Sequence, residues 1–155
     1  MLMGKFDPPT IGGEPRPVNE PTLCSTALRA RMSVRGQNIT YLKQLEEIKF
    51  NPVKILKIAS DTISSEQVRE AFVAGWTSDS LVQSRRDIVR EIVHVLKLAK
   101  QTQDCLVISH TFRLTVIRAY LMEGERLSQS PDLIRKYIRP QSKLMDFEQE
   151  FVERY

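Results

Sequence analysis

An apolar segment that ends in a histidine is the strongest constraint on the fold of this chain. Residues 104–109 read Asp-Cys-Leu-Val-Ile-Ser, and His110 follows them. The four central residues are apolar without alternation, as in a strand that is buried on both faces. Such strands are typical of parallel sheets that are covered by helices on both sides. The segment therefore predicts the central strand of an α/β fold, a mainly parallel sheet with helices on both faces.

Other segments predict that strands alternate with helices along the chain. Further strands are expected at 22–26, 39–42 and 53–58. Helices are expected at 27–34, 64–74, 80–100 and 111–123. Gly124 ends the last of these, and Ser130 with Pro131 has the residue types that begin another helix. A final amphipathic helix is indicated by a stripe of three apolar residues, Leu144, Phe147 and Phe151.

The first 21 residues differ in composition from the rest of the chain. They contain five of the eight prolines and three of the six glycines, and they show no helical or strand periodicity. Proline and glycine in this density are typical of irregular structure. We therefore predict an irregular arm at 1–21 and a single α/β domain at 22–155, since a chain of 155 residues is close to the size of one domain.

The composition excludes several classes of protein. Hydrophobic residues make up 41 % of the chain and charged residues 27 %, which excludes a disordered protein. No apolar stretch approaches the roughly 18 residues that cross a bilayer, and no secretory signal is present, so we expect a cytoplasmic protein with no membrane contact. Cys24 and Cys105 lack metal-ligand spacing, and neither a metal nor a cofactor is expected.

The net charge of +4 is spread along the chain, so nucleic acid is not an expected partner. The densest basic stretch lies within 113–143 and includes Arg113 and Arg118. We interpret this stretch as a solvated helical face, which is a simpler explanation than a binding site for a polyanion.

Two of the predicted strands are followed by residues that are suited to binding an anion. Ser25 lies at the end of one strand, Arg29 follows that strand, and His110 follows another. Ligands of parallel α/β sheets lie at the carboxyl ends of the strands, beside helix N-termini. Arginine offers a two-pronged donor to phosphate oxygens, and histidine donates to an oxyanion or transfers a proton. Each residue alone is more often structural, but their matched positions predict a phosphate pocket formed by Arg29 and His110.

These segments resemble motifs of the histidine phosphatase superfamily, which includes the cofactor-dependent phosphoglycerate mutases. Residues 25–34, Ser-Thr-Ala-Leu-Arg-Ala-Arg-Met-Ser-Val, are similar to the family's Ser-Pro-Leu-x-Arg-Ala-x-x-Thr-Ala pattern, whose arginine falls on Arg29. Residues 45–51, Leu-Glu-Glu-Ile-Lys-Phe-Asn, resemble Leu-x-Glu-Ile-x-Phe-Gly, with Asn in place of the final Gly. The family's acidic proton donor then falls on Glu47.

A third motif extends the resemblance to the predicted central strand. Val-Ile-Ser-His at 107–110 is similar to the family's Val-x-Ser-His, which places the second, non-phosphorylated histidine at His110. The resemblance covers about residues 22–123. It implies a phosphoglycerate-mutase-like fold in which Arg29 and His110 bind phosphate, with Glu47 and His110 as the catalytic residues that are present.

The resemblance is incomplete at the nucleophile. In this family a histidine in an Arg-His-Gly motif ends the first strand and becomes phosphorylated, but the chain has no such motif, and His94 lies within a predicted helix. The arm leaves no room for the family's first strand and first helix, so both are expected to be missing. Cys24 is a poor substitute, since four residues separate it from Arg29 where the loop of cysteine phosphatases has five. Thr111 and Phe112 replace the usual Gly-Gly after the second histidine.

Two functions follow from these observations. The first is a phosphomonoester-related, phosphoglycerate-mutase-like protein with an incomplete site and weak or absent turnover, whose partner is phosphate or a phosphorylated small molecule. The alternative is a non-catalytic phosphate-binding or protein-interaction module on the same fold. A segment upstream of Met1 that carried the missing strand and motif would reconcile the fold with the missing nucleophile. Without that strand, the segment at 105–109 has an open edge, and we expect a homodimer to cover it.

Overall fold

The computed structural model describes residues 2–4, 15–50, 65–102 and 104–138. Their contacts divide the chain into two compact units. The first unit takes its described residues from 1–47 and 91–114, and the second takes its own from 48–90 and 115–142. The single domain expected at 22–155 stays a prediction.

The first unit contains the strands. They are β1 (Leu2–Gly4), β2 (Arg16–Pro17), β3 (Thr22–Ser25), β4 (Val34–Arg35), β5 (Ile39–Leu42) and β6 (Leu106–Ile108). Within the described ranges, four of them form a parallel sheet in the order β1-β6-β3-β5, and β2 pairs with β4 in a smaller parallel sheet. The predicted α/β class with a parallel sheet is thereby confirmed.

Strand β6 lies inside this sheet, as its apolar sequence predicted. All three of its residues are buried, and Val107 is level with Met3 of β1 on one side and Leu23 of β3 on the other. Parallel pairing brings the carboxyl ends of the strands to one edge of the sheet. The residues that follow β3 and β6 therefore lie at the same edge.

The expected absence of a first strand is wrong, because β1 pairs with β6 along its whole length. The arm at 1–21 was expected to be wholly irregular, but the structure has strands within it at β1 and β2. Strands of two or three residues are too short to produce a periodic pattern, and they form here because a partner strand supplies the hydrogen bonds. The predicted homodimer required an open edge at β6, and β1 covers that edge.

The helices agree with the predicted positions better than with the predicted lengths. They are α1 (Leu28–Arg31), α2 (Ser65–Thr77), α3 (Arg85–Gln101), α4 (Thr111–Glu123) and α5 (Arg126–Gln129). Short 3-10 helices occupy Lys43–Leu45 and Pro131–Tyr137. Helix α1 is shorter than the predicted 27–34 because the chain enters β4 at Val34, and the helix expected after Ser130 is the second 3-10 helix. The strand expected at 53–58 and the last amphipathic helix lie outside the described residues.

Two helix boundaries have clear local causes. Helix α3 begins five residues later than predicted because Ser84 Oγ accepts the Asp87 N–H at 3.2 Å and Asp79 Oδ1 accepts the Arg85 N–H at 2.7 Å. These contacts cap the helix at Ser84. Helix α4 ends as predicted at Gly124, which has a φ of +59°. Glycine adopts this left-handed conformation without the steric cost that other residues incur.

Each unit has its own buried apolar residues. In the first, Cys24, Leu106 and Ile108 of the sheet belong to a cluster with Ala30 and Val34. In the second, the rings of Phe72 and Trp76 lie 6.3 Å apart on α2, and both are fully buried. None of the helices in the described part of the chain has the length and apolar character to cross a membrane.

Candidate functional site

The carboxyl edge of the sheet brings His110 against Ser25. His110 follows β6, Ser25 ends β3, and His110 Nε2 lies 2.9 Å from Ser25 Oγ in a hydrogen bond. Ser25 Oγ also accepts the Ala27 N–H at 3.2 Å. The predicted phosphate-binding histidine is therefore held at the end of the strand that leads to Arg29.

Ser25 and His110 have the spacing of a nucleophile and its base, but the surroundings do not suit nucleophilic attack. Ser25 is 0 % exposed, so a phosphorus atom cannot approach its Oγ in this arrangement. Ser109, the neighbour of His110, donates instead to the Leu45 carbonyl at 2.6 Å, so the two adjacent side chains have different partners. We interpret the Ser25 contact as one that orients the imidazole.

Arg29 lies on α1, the short helix that follows the carboxyl end of β3. Its side chain is exposed, while the next residue of the helix, Ala30, is buried in the core of the first unit. The structure thus places Arg29 and His110 at the same edge of the sheet. Their convergence on one anion stays a prediction.

Glu47, which the resemblance assigns as the proton donor, binds the start of α4. Its carboxylate accepts the Phe112 N–H at 3.2 Å through Oε2 and the Arg113 N–H at 2.9 Å through Oε1. These N–H groups belong to the first turn of the helix, where main-chain donors have no partner within the helix. The structure therefore brings Glu47 and His110 to the same helix start, with Glu47 as a capping group.

The sequence interpretation placed Arg113 on a solvated helical face. The structure corrects this interpretation, because Arg113 is 2 % exposed and Arg118 is also buried. Arg113 donates from Nε to the Glu46 carbonyl at 2.8 Å and forms an ion pair with Glu91 at 3.0 Å. Burial lowers the pKa of Arg113, and the nearby carboxylates of Glu91, Glu47 and Glu46 oppose that shift.

A signal in the sequence could have revealed this buried pair. A cation in the first turn of a helix is unfavourable beside the positive end of the helix dipole. Arg113 is the third residue of α4, so its position alone indicates that an acidic partner compensates for the dipole. The pair of acidic residues at Glu46 and Glu47 was visible in the sequence, but its contact with Arg113 depends on tertiary structure.

Neither Cys24 nor His94 has the properties of a reactive group in this structure. Burial raises the pKa of the Cys24 thiol to about 11, although Arg31 opposes the shift, so the thiol stays protonated at neutral pH. His94 lies in α3, within the helix predicted at 80–100, and its side chain is exposed. Over the described ranges, no group of three or more histidine, cysteine, aspartate and glutamate side chains is arranged to hold a metal ion.

Comparisons with known protein families, with curated proteins and with solved structures find no match. The residues of the sheet edge and the motifs in the sequence are therefore the features that point to a function.

Proposed function

We propose that the carboxyl edge of the sheet is the phosphate-binding site of a phosphoglycerate-mutase-like member of the histidine phosphatase superfamily whose turnover is weak or absent. Arg29 and His110 are the residues that bind the phosphate group. The ligand is inorganic phosphate or the phosphate group of a small phosphomonoester. The observation that carries the proposal is the 2.9 Å hydrogen bond between His110 and Ser25, which joins the two strand ends that the sequence motifs occupy.

The order of the strands supports the proposal. In the family, the first strand lies beside the strand that ends in the second histidine, and here β1 lies beside β6, which leads to His110. Arg29 follows β3, the other neighbour of β6. A phosphate group at this edge would meet a guanidinium and an imidazole, and charge-assisted hydrogen bonds from such groups are among the strong ones in proteins.

The lack of a suitable nucleophile among the described residues of the sheet edge supports weak or absent turnover. In sequence, β1 is followed by Lys5 and Phe6, where the family has the histidine that becomes phosphorylated. Ser25 is fully buried and the thiol of Cys24 is protonated at neutral pH. In-line attack on a phosphomonoester needs an accessible, activated nucleophile. These same observations favour the second candidate, a phosphate-binding or protein-interaction module that keeps the fold without the reaction.

Nuclear magnetic resonance of the imidazole groups tests the proposal directly. The chain has two histidines, so His94 serves as an internal control for His110. Titration of the ¹⁵N-histidine-labelled protein with inorganic phosphate is expected to move the His110 signals in a saturable way and to leave the His94 signals in place. Sodium chloride at matched ionic strength is the control titration. No movement of His110, or equal movement of both histidines, would refute the phosphate site.

A further inference from the structure

His110 occupies the N-cap position of α4, but its side chain does not cap the helix. Its carbonyl accepts the Leu114 N–H at 2.8 Å, which makes it the N-cap, the residue immediately before the first turn. N-cap residues usually have short polar side chains that accept first-turn N–H groups. The His110 imidazole binds Ser25 instead. The first turn of α4 therefore needs an acceptor from elsewhere.

Glu47 supplies that acceptor from a distant part of the chain. Each of its carboxylate oxygens takes one N–H group, from Phe112 and from Arg113. A carboxylate at this end of a helix also interacts favourably with the helix dipole. Transfer of a proton to this carboxyl group would weaken two charge-assisted hydrogen bonds. The geometry thus suits an anchoring group better than a proton donor.

Glu47 is itself held in place by the residues before it. The Leu45 carbonyl accepts from Ser109 Oγ at 2.6 Å, and the Glu46 carbonyl accepts from Arg113 Nε at 2.8 Å. The Glu46 carboxylate accepts from Thr26 Oγ1 at 2.5 Å. The segment 45–47 is consequently tied to residues after β3, after β6 and in α4. Because this segment is fixed, Glu47 holds the first turn of α4 in a defined position.

We infer that Glu47 is a positioning residue for His110. It fixes the first turn of α4 and so leaves the imidazole to bind Ser25 and the ligand at the sheet edge. The inference deepens the proposed function and rests on it for the identity of the ligand. The effect of Glu47 on the position of His110 can be measured without a ligand. This inference and the proposed phosphate binding can therefore fail separately.

The test compares Glu47→Gln with the wild type. Gln has the same shape, but its amide group offers one acceptor oxygen to the two N–H groups. We expect the imidazole signals of His110 to shift in the ligand-free protein and those of His94 to stay in place. We expect the dissociation constant for inorganic phosphate to rise by up to about fivefold, the ratio that applies if the whole free energy of the helix cap is lost from the bound state. Glu66→Gln, which changes an exposed acid in the first turn of α2, is the matched control and should change neither value.

A purely structural role gives a different result. It would lower the urea midpoint of Glu47→Gln and leave the His110 signals of the folded protein unchanged, which would overturn the inference. If Glu47→Gln does not fold, Glu47→Asp keeps the charge with one methylene less reach. In that variant the amide signals of Phe112 and Arg113 should move together with the His110 imidazole signals. Movement of the amide signals with a stationary imidazole would also overturn the inference. A wild type that binds no phosphate would refute the proposed function and leave the ligand-free comparison intact.

Discussion

His110 Nε2 lies 2.9 Å from Ser25 Oγ, although the two residues are 85 positions apart in sequence. The contact exists because β3 and β6 are parallel neighbours whose carboxyl ends meet at one edge of the sheet. It fixes one end of the imidazole within the protein. The position of His110 therefore depends on two strands and on the helix start that follows.

Replacement of Arg29 by alanine is expected to weaken phosphate binding. The guanidinium would contribute a charge-assisted hydrogen bond, and its loss should raise the dissociation constant by roughly tenfold, or about 1.5 kcal/mol. Titration of the His110 signals with inorganic phosphate measures the effect. Arg86→Ala removes the same charge from an exposed position on α3 and is the control. Equal affinities for the two variants would mean that Arg29 does not bind the phosphate.

No phosphorylated intermediate is expected when the protein is incubated with a labelled phosphomonoester. An accessible activated nucleophile is missing from the described part of the sheet edge, where Ser25 and Cys24 are both fully buried. Denatured protein should therefore carry no label after incubation. An acid-labile, alkali-stable label on His110 or His94 would contradict this prediction, and so would an alkali-labile label on Ser25.

The Cys24 thiol is expected to be unreactive at neutral pH. Burial raises its pKa from 9.0 to about 11, so the thiolate that reacts with iodoacetamide is scarce in the folded protein. Labelling of Cys24, followed by mass spectrometry of its peptide, should be slow near neutral pH and faster as the pH approaches 11. Rapid labelling of Cys24 in the folded protein at neutral pH would show that the thiol is activated.

The same pKa shift makes the contribution of Cys24 to the free energy of unfolding depend on pH. The unfolded chain loses the thiol proton first as the pH rises past 9.0, whereas the folded protein keeps it up to about 11. The free energy of unfolding should therefore fall between these two pH values. Cys24→Ala should show a smaller fall across the same range in urea unfolding. Identical pH dependence in the two proteins would contradict the expectation.

Replacement of Gly36 by alanine is expected to destabilise the protein. A Cβ at this position would lie 2.6 Å from the Val18 carbonyl oxygen, in the segment where the Val18 N–H donates to the Arg35 carbonyl. The backbone must shift to relieve the clash, at a cost of about 2 kcal/mol in the free energy of unfolding. Gly124→Ala has open space for its Cβ but a φ of +59°, and we expect it to cost about 1 kcal/mol. Urea unfolding should show the larger loss for Gly36→Ala.

Some elements could be predicted because their signals are local. The apolar segment before His110 predicted β6, and Gly124 predicted the end of α4. The start of α3 was placed too early because a pattern of apolar residues does not distinguish a helix from the capped turn before it. Contacts of Ser84 and Asp79 decide that boundary.

The amino-acid sequence by itself determined the strand that leads to His110, the α/β class and the presence of Arg29 after a neighbouring strand. These properties follow from burial and periodicity, which short stretches of sequence encode. Only the tertiary structure decided that β1 covers β6, that Arg113 is buried and that Glu47 caps α4. Each of these depends on a partner that is distant in the chain. A hydrogen bond or an ion pair of that kind forms only when the fold brings both groups together and shields them from water.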